Sequence, residues 1–300
     1  MERRRLGRTN LDVTFVGFGA LEIGRDWGLG ANTRRPPEET ACTLLNRVLD
    51  LGVNLIDTAS AYHKSEERIG KFLASRRHEF VLTSKCGEHS REPKTYYDFS
   101  FRAVRESIER SLKLLRTDHI DVMQIHFGPE PEKVLESGET VAAMKEAQAE
   151  GKIRFLGASP PTSLIDACLD SGDFDVLQVD YSLLNREAEP QIARAARQGV
   201  GILVRGGFGG GYLTPRVKPL LGNLSDPRIR KVTEILNLLD GQAEWLPALA
   251  LQFLSQNPHV TSVLVGTKSV AHFEENITLL EKPLPPQAAE FLSSIKIAGT

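Results

Sequence analysis

Four side chains that lie far apart along the chain, Asp57, Tyr62, Lys85 and His126, are of the types that can move a proton onto or off a carbonyl or alcohol oxygen. Two of them belong to the stretch Asn54-Leu-Ile-Asp-Thr-Ala-Ser-Ala-Tyr62. Its apolar run follows the helix-ending Leu51-Gly52-Val53 and leads into small residues, so it reads as a buried strand opening into a loop. Asp57 then stands at the strand's carboxyl end and needs a partner, because burying a lone carboxylate costs several kcal/mol or forces it to take up a proton. Tyr62 follows closely enough for the loop to fold its phenol back over the strand end. Two later strands end in the same manner, Phe80-Val-Leu-Thr-Ser in Lys85 and Ile120-Asp-Val-Met-Gln-Ile in His126. If these ends converge, a carboxylate, a phenol, an ammonium and an imidazole share one place.

A phenol, with a pKa of about 10, is a poor proton donor at neutral pH. An ammonium about 4 Å away, at an effective dielectric of about 20, contributes roughly 4 kcal/mol, enough to lower that pKa by about three. Lys85, anchored by Asp57, is therefore expected to tune Tyr62 into a general acid, an effect worth about 10² to 10⁴ in rate. His126 would orient the substrate oxygen or relay the proton. The plain alternative for the same residues is a structural ion pair.

Bringing those ends together requires a particular order of strands and helices. Arg4 to Thr14 reads as a hairpin around Gly7-Arg8-Thr9-Asn10, and Phe15-Val-Gly-Phe-Gly19 as a first core strand. A helix with Ala41, Leu45 and Val48, one from Glu66 to Ala74, and one with Phe101, Val104, Ile108, Leu112 and Leu115 in amphipathic spacing alternate with the strands of Asp57, Lys85 and His126. The alternation continues through strands ending at Ser159, Tyr181 and Arg205 and a last one, Ser262-Val-Leu-Val265, before Gly266-Thr267-Lys268. About eight apolar strands alternating with helices, without a break in composition, predict an α/β fold over residues 1–300 as a single domain: an eight-stranded parallel (β/α)8 TIM barrel with an N-terminal β-hairpin. A doubly wound open sheet is the alternative, but Gly17-Phe-Gly19 is not followed by the glycine-spaced helix start of a dinucleotide fingerprint. In a barrel the carboxyl ends of all strands open on one face, where chemistry is found.

Composition narrows the partners. With 41% hydrophobic and 25% charged residues and a net charge of -2, the chain offers no nucleic-acid or membrane footprint. The basic start Glu2-Arg3-Arg4-Arg5 leads into Leu6-Gly7 rather than an apolar signal core, and no apolar run is long enough to span a bilayer. Cys42, Cys86 and Cys168 are scattered, odd in number and not in metal-ligand spacing, which predicts reduced thiols in a cytoplasmic protein and no metal site.

In its motifs the chain resembles the aldo-keto reductase family. The residues that carry the resemblance run in order through Ile-Asp57-Thr-Ala-Ser-Ala-Tyr62, Ser65-Glu66-Glu67 with Gly70, Thr-Ser-Lys85 and Ile-Asp121-Val-Met-Gln-Ile-His126. They continue with Gly157-Ala-Ser159, Leu177-Gln178-Val-Asp-Tyr181-Ser-Leu-Leu-Asn185-Arg186, and Gly266-Thr267-Lys268 with Glu275-Asn276 behind it. The resemblance implies a barrel that binds a nicotinamide dinucleotide in extended form and moves a hydride between it and a carbonyl or alcohol. It implies Tyr62 as the acid/base, Lys85 and Asp57 as its tuners, and His126 as the residue that positions the carbonyl. Ser159 and Gln178 would hold the nicotinamide carboxamide, with Asp57 and Tyr181 beside them. The loop from Arg205 through Gly206, Phe208 and Gly210 would lie along the ring and pyrophosphate, where glycine lets backbone N–H groups approach phosphate closely. Gly266, Thr267 and Lys268 match the segment that meets an adenosine 2′-phosphate, and His272, Glu275 and Asn276 the segment behind it that reaches adenine.

The chain departs from the family pattern at three of these places. Pro160 follows Ser159 where an asparagine is usual and removes one carboxamide contact. Arg205 stands where an aromatic often stacks under the nicotinamide; its planar guanidinium can stack, but its charge disfavours the oxidised ring. His272 replaces an arginine, which leaves Lys268 as the cation for NADPH and makes NADH possible. Around the substrate, a small carbonyl or sugar-like molecule, the loops Glu22 to Arg35 and Glu88 to Tyr97 are expected to cap the pocket, with Trp27, Tyr96, Tyr97 and Phe127 as aromatic walls. Two rival readings are a Schiff-base lyase with Lys85 as nucleophile and a non-enzymatic redox-sensor subunit that binds the cofactor.

Overall fold

A computed structural model describes residues 1–28 and 33–299, so residues 29–32 of the expected Glu22 to Arg35 cap lie outside the described residues. Strands β1 (Arg3–Arg5) and β2 (Asp12–Thr14) pair antiparallel across a 3-10 turn at Gly7–Thr9. The chain then builds β3 (Val16–Gly19), β4 (Leu55–Asp57) and β5 (Val81–Cys86), makes a small antiparallel hairpin from β6 (Glu88–Arg91) and β7 (Lys94–Tyr97), and continues through β8 (Ile120–His126), β9 (Ile153–Ser159), β10 (Val176–Asp180), β11 (Gly201–Arg205) and β12 (Ser262–Val265). Apart from the two hairpins these strands pair in parallel, each with its chain neighbours, and β12 returns to β3 with Val263 opposite Val16. This is the eight-stranded closed barrel with an N-terminal hairpin that the alternation of strands and helices predicts.

The period-2 geometry of strands explains how one barrel holds both a plug and a reactive mouth. Leu55, Val122, Val176 and Leu203 form an apolar cluster with Leu6, Leu11 and Val13 of the hairpin region. Two residues further along the same strands stand Asp57, Gln124, Gln178 and Arg205, on the same face. Each of these strands is thus apolar inward at its start and polar inward at its end. The hairpin seals the apolar end so closely that a Cβ on Gly7, itself at φ +54°, would come within 2.3 Å of the Gly201 nitrogen.

Outward residues meet the helical shell. The helix Phe101–Leu115 buries Val104, Ile108, Leu112 and Leu115, and Ser100 caps it by accepting from the Ala103 N–H. Sequence periodicity did not reveal β6 and β7, or the helices Pro131–Ser137 and Pro286–Ser294. In β6 and β7, Glu-His-Ser-Arg and Lys-Thr-Tyr-Tyr lack apolar alternation, and the hairpin comes from their mutual pairing, Glu88 opposite Tyr97. Among the described residues no helix is long and apolar enough to cross a membrane, and no group of acidic, histidine and cysteine side chains could hold a metal ion.

Candidate active site

Asp57 sits at the centre of a hydrogen-bond web inside the barrel mouth. Its Oδ1 accepts from Thr83 Oγ1 at 2.6 Å, Gln178 Nε2 at 2.9 Å and Gln124 Nε2 at 3.0 Å. Its Oδ2 accepts from Lys85 Nζ at 2.6 Å, and Nζ also donates to the Thr58 carbonyl at 2.9 Å. Register puts these groups together: Asp57 lies opposite Thr83, and Lys85 opposite Gln124. The carboxylate that sequence left in need of a partner has four. Burial works against the Lys85 charge, but Asp57 and then Tyr62 outweigh it and hold the ammonium above its ordinary pKa.

The loop after β4 folds back as expected and places the Tyr62 ring with its centre 5.0 Å from Lys85 Nζ. The expected lowering of the phenol's pKa is overturned. Burial is the largest influence and raises it, Lys85 lowers it, Asp57 raises it, and the balance lies above the ordinary tyrosine value. Distance alone predicted the sign of the lysine's effect and missed the cost of desolvating a phenolate. Tyr62 is thus fully protonated at neutral pH.

His126 completes the cluster, its ring perpendicular to that of Tyr62 with centroids 6.0 Å apart. Its Nδ1 is 2.9 Å from Oε2 of Glu88, a residue that the sequence reading placed only in a capping loop. Burial lowers the His126 pKa, helped by the charge of Lys85, and Glu88 only partly offsets this, so the imidazole is neutral at pH 7. Arg25 stands 3.8 Å from the other Glu88 oxygen. Glu88 was legible only as an acid three positions after Lys85, across Gly87, whose φ of +95° turns the chain there.

A cavity of about 880 Å³ opens on Asp57, Tyr62 and His126, and Lys85 lies behind them, 1% exposed. Trp27 and Phe127 line it, whereas Tyr96 stacks on His89 and Tyr97 on Phe99. Ser159, Gln178 and Arg205 form one wall, continued by Gly206, Phe208 and Gly210. Gly266, Thr267, His272, Glu275 and Asn276 line it as well. Because a carboxylate only accepts, the Gln178 bond to Asp57 fixes its amide nitrogen inward and leaves its oxygen for a ligand. Arg205 donates to the Pro160 carbonyl at 3.2 Å and lies 4.0 Å from Asp180, so its charge is partly balanced.

Two expected cofactor contacts lie elsewhere. Tyr181 follows the inward Asp180 and so turns outward, fully buried, with its hydroxyl donating to Glu189 at 2.9 Å and its ring against Phe253. Lys268 donates to the Trp27 carbonyl at 2.7 Å and does not line the cavity. Glu22, the first residue of the segment expected to cap the pocket, does line it, with one carboxylate oxygen buried and unpaired.

Comparison with known proteins places this geometry. The model of the Aldo/keto reductase family matches residues 16–297. L-galactose dehydrogenase of Arabidopsis thaliana is 30% identical over 292 residues, 92% of this chain and 87% of that protein. NADH-specific methylglyoxal reductase of Escherichia coli K12 is 26% identical, over 93% of this chain and 94% of that protein. Among solved structures, an aldo-keto reductase from Bacillus halodurans in its holo form superposes with a TM-score of 0.75 at 26% identity, covering 100% of this chain and 97% of that one.

Proposed function

Since the chain belongs to the aldo-keto reductase family, we propose that it is a nicotinamide-dependent oxidoreductase in which Tyr62 exchanges a proton with the oxygen of an aldehyde or ketone, or of the matching alcohol. The observation that carries this reading is the chain of contacts from Asp57 through Lys85 to Tyr62, opening beside His126 into one cavity. The cofactor, when bound, supplies or accepts the hydride at the carbonyl carbon.

The rest is the work of the chain's own residues. Tyr62, protonated at neutral pH, donates to the carbonyl oxygen as negative charge develops there. The phenolate left behind faces the Lys85 ammonium, whose position Asp57 and the Thr58 carbonyl fix. The Asp57 web supplies orientation in advance, so no rearrangement is needed as the proton moves. At the cofactor end, three features support a dinucleotide: the free amide oxygen of Gln178, the buried unpaired Nε of Arg205, and the positive-φ glycines Gly206, Gly209 and Gly210. Lys268 and Thr267 favour NADPH; His272 in place of a permanent cation, and the tie from Lys268 to Trp27, favour NADH. Paired titrations of the two, read by nicotinamide fluorescence, separate these choices. A Schiff-base role for Lys85 is disfavoured, since a nucleophilic lysine must be neutral and this one is a buried ammonium paired with Asp57.

The decisive variant is Tyr62→Phe. It is expected to lose aldehyde reduction by about 10² to 10⁴ while nicotinamide binding persists. Unchanged turnover removes Tyr62 from the mechanism, and a protein that binds cofactor tightly yet turns over no aldehyde favours the sensor reading.

A further inference from the structure

Among the groups that line the cavity is an acid for which the proton-transfer chemistry has no use. Glu22 borders the cavity just after β3, with Oε2 buried and without a hydrogen-bond partner among the described residues. Its other oxygen, Oε1, lies beside Gly266: a Cβ on that glycine would come within 3.6 Å of it. Burial raises the Glu22 pKa, and the cations that oppose the rise are Lys268 and then Arg216. The acid therefore faces Lys268, the cation on which any grip on the 2′-phosphate of NADPH would depend. We propose that Glu22 makes this chain select NADH, by accepting from the 2′-hydroxyl of the adenosine ribose and turning away a 2′-phosphate. This rests on the reading of the cavity as a nicotinamide dinucleotide site, and it decides which dinucleotide.

Charge and hydrogen-bond matching both carry the choice. A phosphate monoester brings a charge of about -1.5 to -2 at neutral pH and needs a surplus of cations. Around Lys268 there is none: Glu22 and Asp26 act on it as anions and Arg216 as a cation, two acids against two bases. Burial also lowers the Lys268 pKa, and its Nζ donates to the Trp27 carbonyl at 2.7 Å. Along the same wall Glu275 adds a further acid, Glu244 is paired with Lys218 at 2.5 Å, and His272 brings no permanent charge. A carboxylate can only accept, so it has nothing to offer phosphate oxygens. A ribose hydroxyl donates to it and satisfies an oxygen that is otherwise buried and unpaired. An acid on the ribose 2′-hydroxyl is how doubly wound dinucleotide folds recognise NAD, and here the segment after β3 supplies it.

The test is binding to the full-length protein, read by nicotinamide fluorescence, so that it depends on no carbonyl substrate. Wild type is expected to bind NADH about tenfold more tightly than NADPH, and about tenfold more tightly than NADH lacking the adenosine 2′-hydroxyl, which has nothing to donate to Glu22. Glu22→Gln keeps an acceptor, gains a donor and loses the charge. Its affinity for NADPH is expected to rise by about tenfold while that for NADH stays within about threefold of wild type. A wild type that prefers NADPH, or that binds NADH and its 2′-deoxy analogue equally, overturns the proposal whether or not any variant folds. So does a ratio of the two affinities that Glu22→Gln leaves unchanged. In each of these cases dinucleotide binding persists, and the reading of the cavity stands. Failure of the wild type to bind either dinucleotide brings down both.

Discussion

Asp57 and Asp121 are the same side chain, each 3% exposed, each on a barrel strand and each salt-bridged at 2.6–2.7 Å. They do different things. Asp121 is the second residue of β8, on the face opposite to the inward Val122, and so meets the helical shell. There it accepts from Arg77 and Arg154 at 2.7 Å and from the Leu82 N–H at 2.9 Å, stapling the starts of β5, β8 and β9. Asp57 is the last residue of β4, on the inward face, and its cation is Lys85 beside Tyr62. An arginine cannot give up its proton and suits a permanent staple, whereas a lysine ammonium is a compact charge that can share hydrogen bonds with a phenol. Burial and ion pairing thus do not mark a reactive carboxylate. Its end of the strand, its face and the kind of its cation do.

The largest expected effect tests the reactive half of the contrast. Lys85→Met should reduce aldehyde turnover by about 10³, and, by leaving Asp57 buried without its cation, lower unfolding stability by about 3–5 kcal/mol. Asp57→Asn combined with Lys85→Met should regain much of that stability in urea denaturation and none of the turnover. A Lys85→Met enzyme with wild-type kcat would make the two ion pairs equivalent and end the distinction.

The structural half is tested by Arg77→Ala. Asp121 keeps Arg154 and the Leu82 N–H, so the loss should be about 1–3 kcal/mol of stability, with kcat and KM for the aldehyde unchanged. A fall in kcat at full cofactor saturation would show that the strand starts govern the geometry of the mouth, against the present division of labour.

What could be read from sequence follows the same line. Apolar periodicity reports which residues face a core, and it located the barrel strands and the helix from Phe101 to Leu115 within a residue or two. The polar residues at strand ends then located Asp57, Tyr62, Lys85 and His126 at one mouth, because strand direction in a parallel barrel is shared. Two things were beyond it. The face of a residue just past a strand depends on where the strand stops, so Tyr181 reads as a mouth residue although it turns outward onto Glu189. Partners supplied by the β6–β7 hairpin and by the segment after β3 carry no apolar periodicity, so neither Glu88 against His126 nor Arg25 behind it was visible. The balance of the Tyr62 pKa was out of reach too, since desolvation depends on how deeply the ring is covered.

The smallest expected effect, and the one that sharpens the comparison furthest, is in the acid limb of stability. Burial raises the Asp121 pKa, but Arg77, the Leu82 N–H and Arg154 outweigh it and hold the carboxyl below its ordinary range. In the unfolded chain the same group titrates near about 3.9. The unfolded state therefore binds the proton first as pH falls. The stability contributed by Asp121 is fully present above about pH 4 and is lost as pH drops through the folded pKa. Asp121→Asn is expected to be less stable than wild type at neutral pH, and because it has no carboxyl to protonate, its unfolding free energy should fall less steeply than that of the wild type below about pH 4. Urea titrations at several acid pH values measure the two slopes. Parallel slopes would mean that Arg77 and Arg154 hold the folded strands together without depressing the titration of Asp121, and the staple would be one of shape rather than charge.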